Sequence, residues 1–369
     1  MYLVIGAGVV GAAVAYELAR GGEAVTLLEA ERPAGGTSGS SFAWTNANEK
    51  PPRPYHDLNA AGLAEYHRLA RELAGGWFHP TGNLSVASAP ADQTALEARV
   101  TRLREWGYAA ELIDAARVAA LAPDLTIPSG ALGAFFPEEG WVAVTVLVHA
   151  LLEAATQHGA RVVYPAPVEE LAVQSGRVVG ARVGETVYPA DVVIDCAGPR
   201  AGHLLESLGR KIRRQRSPGL LAISEALATC LAPVVHFASE GVYFRPDGGG
   251  RVRIGSEEVD GALPADDAAV REAASPGSPQ ARDLLDRARA VFPPLVGARL
   301  EAVRLGWRAM PGDGFSAVGP VPGVAGYYLA FTHSGVTLGP LLGRLVADEV
   351  QGHPADLLAR FRPDRLVVG

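Results

Sequence analysis

The sequence predicts an α/β protein: a discontinuous Rossmann-like domain with an inserted α+β domain built on an antiparallel sheet. Three observations carry that expectation. The chain opens on a short apolar strand, a glycine-rich turn and an Ala-rich helix. Far downstream, the apolar run Asp191 to Cys196 ends in a second tight glycine turn at Gly198. After it come separated strand candidates with turn-forming residues between them, as in an antiparallel sheet.

The first unit is the most specific. Tyr2 to Ile5 reads as a buried strand, Gly6-Ala7-Gly8-Val9-Val10-Gly11 as the turn, and the next residues to Arg20 as a helix. A second strand from Ala24 to Leu28 ends in Glu29-Ala30. Strand, G-x-G-x-x-G, helix, strand and acid in register form the dinucleotide fingerprint. Gly6 permits the tight turn, Gly8 lets backbone N–H groups approach a pyrophosphate at the helix N-terminus, and Gly11 lets helix and strand pack closely. Glu29 stands where a carboxylate accepts the hydroxyls of an adenosine ribose and repels a 2′-phosphate. The motif alone leaves FAD and NAD open.

The loop Pro33 to Ser41 is rich in small residues and reads as a second phosphate or flavin contact. Apolar spacing predicts helices over Leu58 to Leu73 and Leu96 to Trp106, with Leu96, Val100 and Leu103 buried in the latter. Asn83 to Ala87 reads as a strand leaving the first domain. Val144 to His158 reads as a helix, Arg161 to Tyr164 as a strand, and Val168 to Tyr188 as a three-stranded meander. Leu220 to Ser224, Val242 to Arg245 and Val252 to Ile254 fit an antiparallel sheet, with Asp247 to Gly250 as a hairpin turn. One helix is expected at Gln280 to Val291, a strand at Tyr327 to Ala330, and a last helix at Gly339 to Val350. The domains are thus expected as 1–82, 140–211 and 306–369 for nucleotide binding, and 83–139 with 212–305 for substrate.

Composition narrows the function. With 369 residues, 48% hydrophobic and 20% charged, the chain has the makeup of a globular protein of about two domains. A net charge of −7 disfavours nucleic acid and anionic membranes as partners. No apolar run reaches the ~18 residues of a membrane span, and a strand starting at residue 2 leaves no room for a signal peptide. Cys196 and Cys230 supply neither a disulfide framework nor metal-ligand spacing, so a reducing cytoplasm is the expected compartment.

Six ordered blocks now stand out. They are the Gly6 to Gly11 turn with Glu29, Thr37 to Ser41, Cys196-Ala197-Gly198-Pro199, Val242 to Pro246, Trp307 to Gly314, and Thr332 to Pro340. With them the chain resembles the D-amino-acid oxidase-like family of FAD-dependent oxidoreductases over almost its whole length. That resemblance selects FAD over NAD. It implies flavin-nucleotide contacts from Gly6, Gly8, Val9, Val10, Gly11, Glu29 and Ala30. Further contacts are implied from Thr37, Ser38, Ser41, Ala43, Trp44 and Asn46, and from Val168, Cys196, Ala197 and Gly198. Gly335, Val336 and Thr337 are implied to place backbone donors near the flavin pyrimidine edge.

For catalysis the resemblance implies Arg308, which also touches the flavin, as the anchor of a substrate carboxylate. Tyr243 is implied to close the pocket and His333 to contact substrate. Relatives that tether FAD use a histidine after the Thr-Ser-Gly loop; here Phe42 to Asn46 holds none, so a non-covalent flavin is expected. Lys50, the one lysine near that loop, is expected in solvent. No His/Asp/Glu constellation stands out along the chain. The implied reaction is oxidation of a small amino acid or secondary amine at its C–N bond, by hydride transfer to flavin N5, giving an imine that hydrolyses. Oxygen or another carrier would accept the electrons. Oxidation of a hydroxy acid or polyol phosphate, or service as the flavin subunit of an electron-transfer complex, is the alternative. A homo-oligomer stays open.

Overall fold

The computed structural model describes residues 1–369. Its helices are α1 (Val9–Arg20), α2 (Arg53–Glu72), α3 (Pro90–Glu105), α4 (Ala115–Leu121), α5 (Val144–Gln157), α6 (Glu257–Gly261), α7 (Asp267–Ala273), α8 (Pro279–Val291) and α9 (Gly335–Val350). None is long and apolar enough to cross a membrane.

A six-stranded sheet orders Ala317–Pro320, Tyr327–Phe331, Val192–Asp195, Tyr2–Ile5, Val25–Leu28 and Arg161–Val163; all pairs are parallel except at the Ala317–Pro320 edge. Side chains alternate across it with period 2. Val4, Leu27 and Ile194 join the core beneath α1, α5 and α9, whereas Leu3, Leu28 and Val193 join the core beneath the meander 170–189. Both faces are covered, which suits strands this apolar. The second sheet has eight strands, from Leu300–Trp307 at one edge to Glu111–Ile113 at the other. It is antiparallel apart from the pairing of Val234–Phe237 with Asn83–Ala87, and α8 buries Leu284, Ala288 and Val291 against it. A three-stranded sheet of Trp44–Thr45, Gly140–Val142 and Phe78–His79 is the third element.

Helices α1 and α9 pack side by side and point the same way. A Cβ on Gly335 would stand 3.7 Å from Val10, one on Gly339 2.9 Å from Val9, and one on Gly343 2.7 Å from the Ala13 backbone. Glycine at the last two positions lets the axes approach closely. Both N-termini therefore lie at one end of the pair.

Several elements differ from the sequence expectation. Helix α2 begins at Arg53, ahead of Leu58, because Pro54 in a first turn has no N–H to lose. Helix α9 begins at Gly335, a turn before Gly339, and runs through Pro340. Pro340 cannot donate to the Val336 carbonyl, and the Tyr66 hydroxyl donates to it instead at 2.5 Å. Helix α7 was not expected, although Asp266 caps it by accepting from the Ala269 N–H at 2.9 Å. Strands Leu132–Phe136, Gly140–Val142, Val234–Phe237, Leu300–Trp307 and Ala317–Pro320 also lacked a clear local signal. Leu132–Phe136, Gly140–Val142 and Leu300–Trp307 pair with segments distant in sequence, and Val234–Phe237 adds remote Asn83–Ala87 to its neighbouring strand, so pairing rather than local pattern creates them.

Gly343→Ala is expected to destabilise the protein by about 1–3 kcal/mol, because its Cβ meets backbone rather than a movable side chain. A falling thermal midpoint would show this; an unchanged midpoint would mean the two helix axes separate freely.

Candidate active site

The shared end of α1 and α9 is built to receive negative charge. Gly8 precedes α1 and has no side chain to cap it, and neither helix carries an acid in its first turn. Their N–H groups and dipoles therefore face outward together. One donor, the Val9 N–H, is taken by the Ser38 hydroxyl at 3.0 Å. Ser334 precedes α9, but its hydroxyl pairs with the Tyr55 hydroxyl at 2.9 Å and leaves the helix uncapped.

The glycine turn is shaped by close approach. Gly6 has φ +99°, and a Cβ there would stand 2.7 Å from the Cys196 carbonyl; one on Gly11 would stand 2.0 Å from the Gly6 carbonyl. Asp195 holds the neighbouring turn by accepting from the Ala197 N–H at 2.9 Å and the Gly202 N–H at 2.8 Å, which places Ala197 and Gly198 beside it. Glu29 accepts from the Ala7 N–H at 2.8 Å and the Glu31 N–H at 2.9 Å, so its carboxylate is fixed at the strand end. Ala30 follows Glu29 and is exposed, and Val168 lies two residues beyond Ala166, whose N–H donates to the Glu29 carbonyl at 2.7 Å.

Below this end opens a cavity of about 640 Å³, only 8 of whose 27 lining residues are hydrophobic. It gathers Thr37, Ser41, Ala43, Trp44 and Asn46 with Tyr243, Arg308, His333, Val336 and Thr337. Gly335 is not on its wall but begins the helix that supplies Val336 and Thr337. The Thr337 hydroxyl accepts from the Asn46 N–H at 3.2 Å, tying that helix to segment 44–46. Ala43 sits at φ 58°, a strained conformation for a residue with a Cβ. The Asn46 side-chain oxygen is buried without a partner, an acceptor aimed at nothing in the protein.

Arg308 lines the cavity and is already paired within the protein. It forms an ion pair with buried Asp260, whose other oxygen accepts from the Leu220 N–H at 2.8 Å. A Cβ on Gly219 would stand 2.8 Å from Arg308 Nη2 and 3.0 Å from Asp260 Oδ2, so the pair crosses the strand where there is no side chain. The Tyr243 ring packs edge-on against Phe42, 4.6 Å between centroids. Burial and the Asp260 charge raise the Tyr243 hydroxyl above its ordinary value, so it stays protonated.

Two further sequence expectations are corrected. Lys50 is half-buried and lines the cavity rather than standing in solvent. A His/Glu constellation does exist: Glu49 is ion-paired with Arg99 and lies 3.3 Å from His236 Nδ1, and Glu49 and His236 both line the cavity. Burial pushes the Glu49 carboxyl up, but His236 and Arg99 outweigh it and hold it at about 2. His333 is exposed where it lines the cavity, and the surrounding protein, then the Lys50 and Arg308 charges, shift it below the ordinary histidine range, favouring the neutral imidazole. Asp260, Glu49 and His236 are far apart in the chain and carry no motif; only the fold brings them to one wall.

Buried Glu139 holds the lining segment in place. Its carboxylate accepts from Trp44 Nε1 at 3.0 Å, the Ala47 and Asn48 N–H groups at 3.0 and 2.9 Å, Asn48 Nδ2 at 2.8 Å and the Tyr108 hydroxyl at 2.9 Å. Burial pushes it up to about 7 against the pull of those five donors. Glu139→Ala strands all five and is expected to cost about 3 kcal/mol or more, with Glu139→Gln in between. Thermal unfolding and limited proteolysis near residues 44–48 would check it; equal midpoints for all three proteins would refute it.

Comparison with known proteins then identifies the family. The uncharacterized oxidoreductase YurR of Bacillus subtilis is 28% identical over 371 residues, 96% of each chain. Glycine oxidase from Geobacillus kaustophilus superposes with a TM-score of 0.86 at 24% identity, covering 100% of this chain and 99% of that one. L-proline dehydrogenase from P. horikoshii gives 0.87 at 19% identity, covering 99% and 96%. These structural likenesses show a shared fold. Residues 1–349 match the DAO family model, FAD dependent oxidoreductase, and the chain belongs to that family.

Proposed function

We propose that the protein oxidises a small amino acid or secondary amine at its C–N bond, with FAD held non-covalently. The observation that carries this reading is a polar cavity with a guanidinium on its wall, lined at one side by the first turn of the uncapped helix α9. The donor set fits FAD. The Gly6–Gly11 turn and the start of α1 would hold the diphosphate, and Glu29 the ribose. Segment 37–46 and the start of α9 would hold the flavin ring, where the unpartnered Asn46 oxygen can accept from a ring N–H. When bound, FAD supplies the two-electron acceptor for the C–H bond next to nitrogen.

The chain's own residues bind and orient. Arg308 uses one Nη2 donor on Asp260 and keeps further N–H groups for a substrate carboxylate. Tyr243 covers the bound substrate with Phe42 braced behind it. Neutral His333 offers a hydrogen bond without adding a charge. The amine lone pair assists loss of the adjacent C–H, so no protein base is required, and water hydrolyses the imine product. The solved relatives named as glycine oxidase and L-proline dehydrogenase support an amino-acid substrate.

An anaerobic absorbance titration of the holoprotein tests the reading. Amino acids or N-alkyl amines are expected to bleach the flavin band, and bleaching by hydroxy acids alone would sink the amine assignment. Arg308→Ala is expected to raise KM by roughly 10- to 100-fold, the loss of a charged hydrogen bond. Gly219→Ala, which displaces the guanidinium without touching the backbone, should raise KM in the same direction with the fold intact. Because His333 is uncharged, kcat/KM should show no inflection near the ordinary histidine value of about 6.5. A pH profile in which such an inflection disappears on His333→Asn would contradict that assignment.

A further inference from the structure

We propose that Lys50 forms a second anion subsite in the cavity, and that the substrate is an amino or imino acid carrying two carboxylates. The inference rests on the amine-oxidation reading and extends it to substrate class. It starts from the cations on the cavity wall: Lys50, Arg216 and Arg308. Arg216 pairs with Asp267 at 2.9 Å and lies over the Trp307 ring, and Arg308 pairs with Asp260. Lys50 is half-buried and makes no ion pair or hydrogen bond with the protein.

The nearest carboxylate in sequence does not serve it. Glu49 is committed to Arg99 and His236 and is firmly ionised by them. Glu257, the remaining acid on the lining, is exposed, and its charge bears on the Arg308–Asp260 pair. Asp260 cancels the charge of Arg308. Lys50 is left without a direct partner, and a half-buried ammonium gains from an anionic ligand.

Lys50 and Arg308 are near enough to one another that both charges bear on His333. Both line the same cavity, as do Tyr243, whose ring is 6.2 Å from that of His236, and Glu49, which is 3.3 Å from His236 Nδ1 and next to Lys50 in the chain. A ligand bridging the two cations would offer one carboxylate to each. A second carboxylate on the substrate would give Lys50 the anionic partner it lacks, while the first takes the remaining N–H groups of Arg308.

The test compares holoprotein of wild type, Lys50→Met and Lys50→Arg in two measurements. In the first, anaerobic flavin reduction gives apparent Kd for aspartate, glutamate and iminodiacetate against alanine, proline and sarcosine. In the second, thermal shift records stabilisation by succinate or glutarate against acetate or propionate, which requires no turnover. The proposal expects diacids to bind wild type at least about 10-fold more tightly than monoacids, as one added charged contact implies. That preference and the dicarboxylate thermal shift should vanish in Lys50→Met and return in Lys50→Arg. Equal weakening of both substrate sets overturns the proposal, as does a Lys50→Met effect confined to reoxidation by oxygen. If no amine reduces wild-type flavin, the amine reading fails; if amines do so without regard to Lys50, only this inference fails.

Discussion

The parallel contact between α1 and α9 is the constraint on which the site depends. Two helices separated by more than 300 residues of chain meet through Gly339 and Gly343 on one side and Val9 and Ala13 on the other. Small residues let the axes close, and the parallel sense brings two positive dipole ends to one place. Antiparallel packing would have set those ends at opposite faces of the domain. Gly62 extends the arrangement, since a Cβ there would stand 2.6 Å from the Thr337 carbonyl, and α2 thereby braces the first turn of α9.

The second sheet is joined to this frame by charged groups buried at the junction. Arg253 donates to the Ser41 carbonyl at 2.5 Å, and Arg245 donates to the Phe42 carbonyl while lying 4.7 Å over the Trp141 ring. Burial pushes Arg245 down to about 9, and it still carries its charge at neutral pH. His79 stacks on Trp141 at 3.7 Å. Together with Glu139, these contacts set the path of segment 41–48 from both sides. The strained Ala43 backbone is therefore held by its surroundings rather than by its own preference.

Two of the charged groups on the cavity wall are held in pairs. Asp260 offsets Arg308, and Arg99 offsets Glu49, so the guanidinium and the carboxylate are each oriented by a partner. A buried ion pair contributes little net stability, but it fixes direction. Here it fixes where a guanidinium and a carboxylate face. His333 also answers to its neighbours, because the Lys50 and Arg308 charges disfavour a third positive charge beside them.

The sequence by itself determined the nucleotide-binding unit, since its strand, turn, helix and acid are contiguous and each step follows from local sterics. Period-2 and helical patterns likewise made the two-sheet α/β architecture legible, including the meander and the Asp247 hairpin. Strands such as Gly140–Val142 and Leu300–Trp307 were not legible, because their pairing partners are remote and register comes from the sheet. The start of α9 was hidden by Pro340, whose missing hydrogen bond is replaced by Tyr66 from another helix. Only the tertiary structure decided that Lys50 faces inward, that Arg308 is paired with Asp260, and that Glu49 and His236 share one wall. A side chain's charge is written in the sequence, but its partner, its burial and hence its electrostatic role are set by which distant residues the fold places beside it.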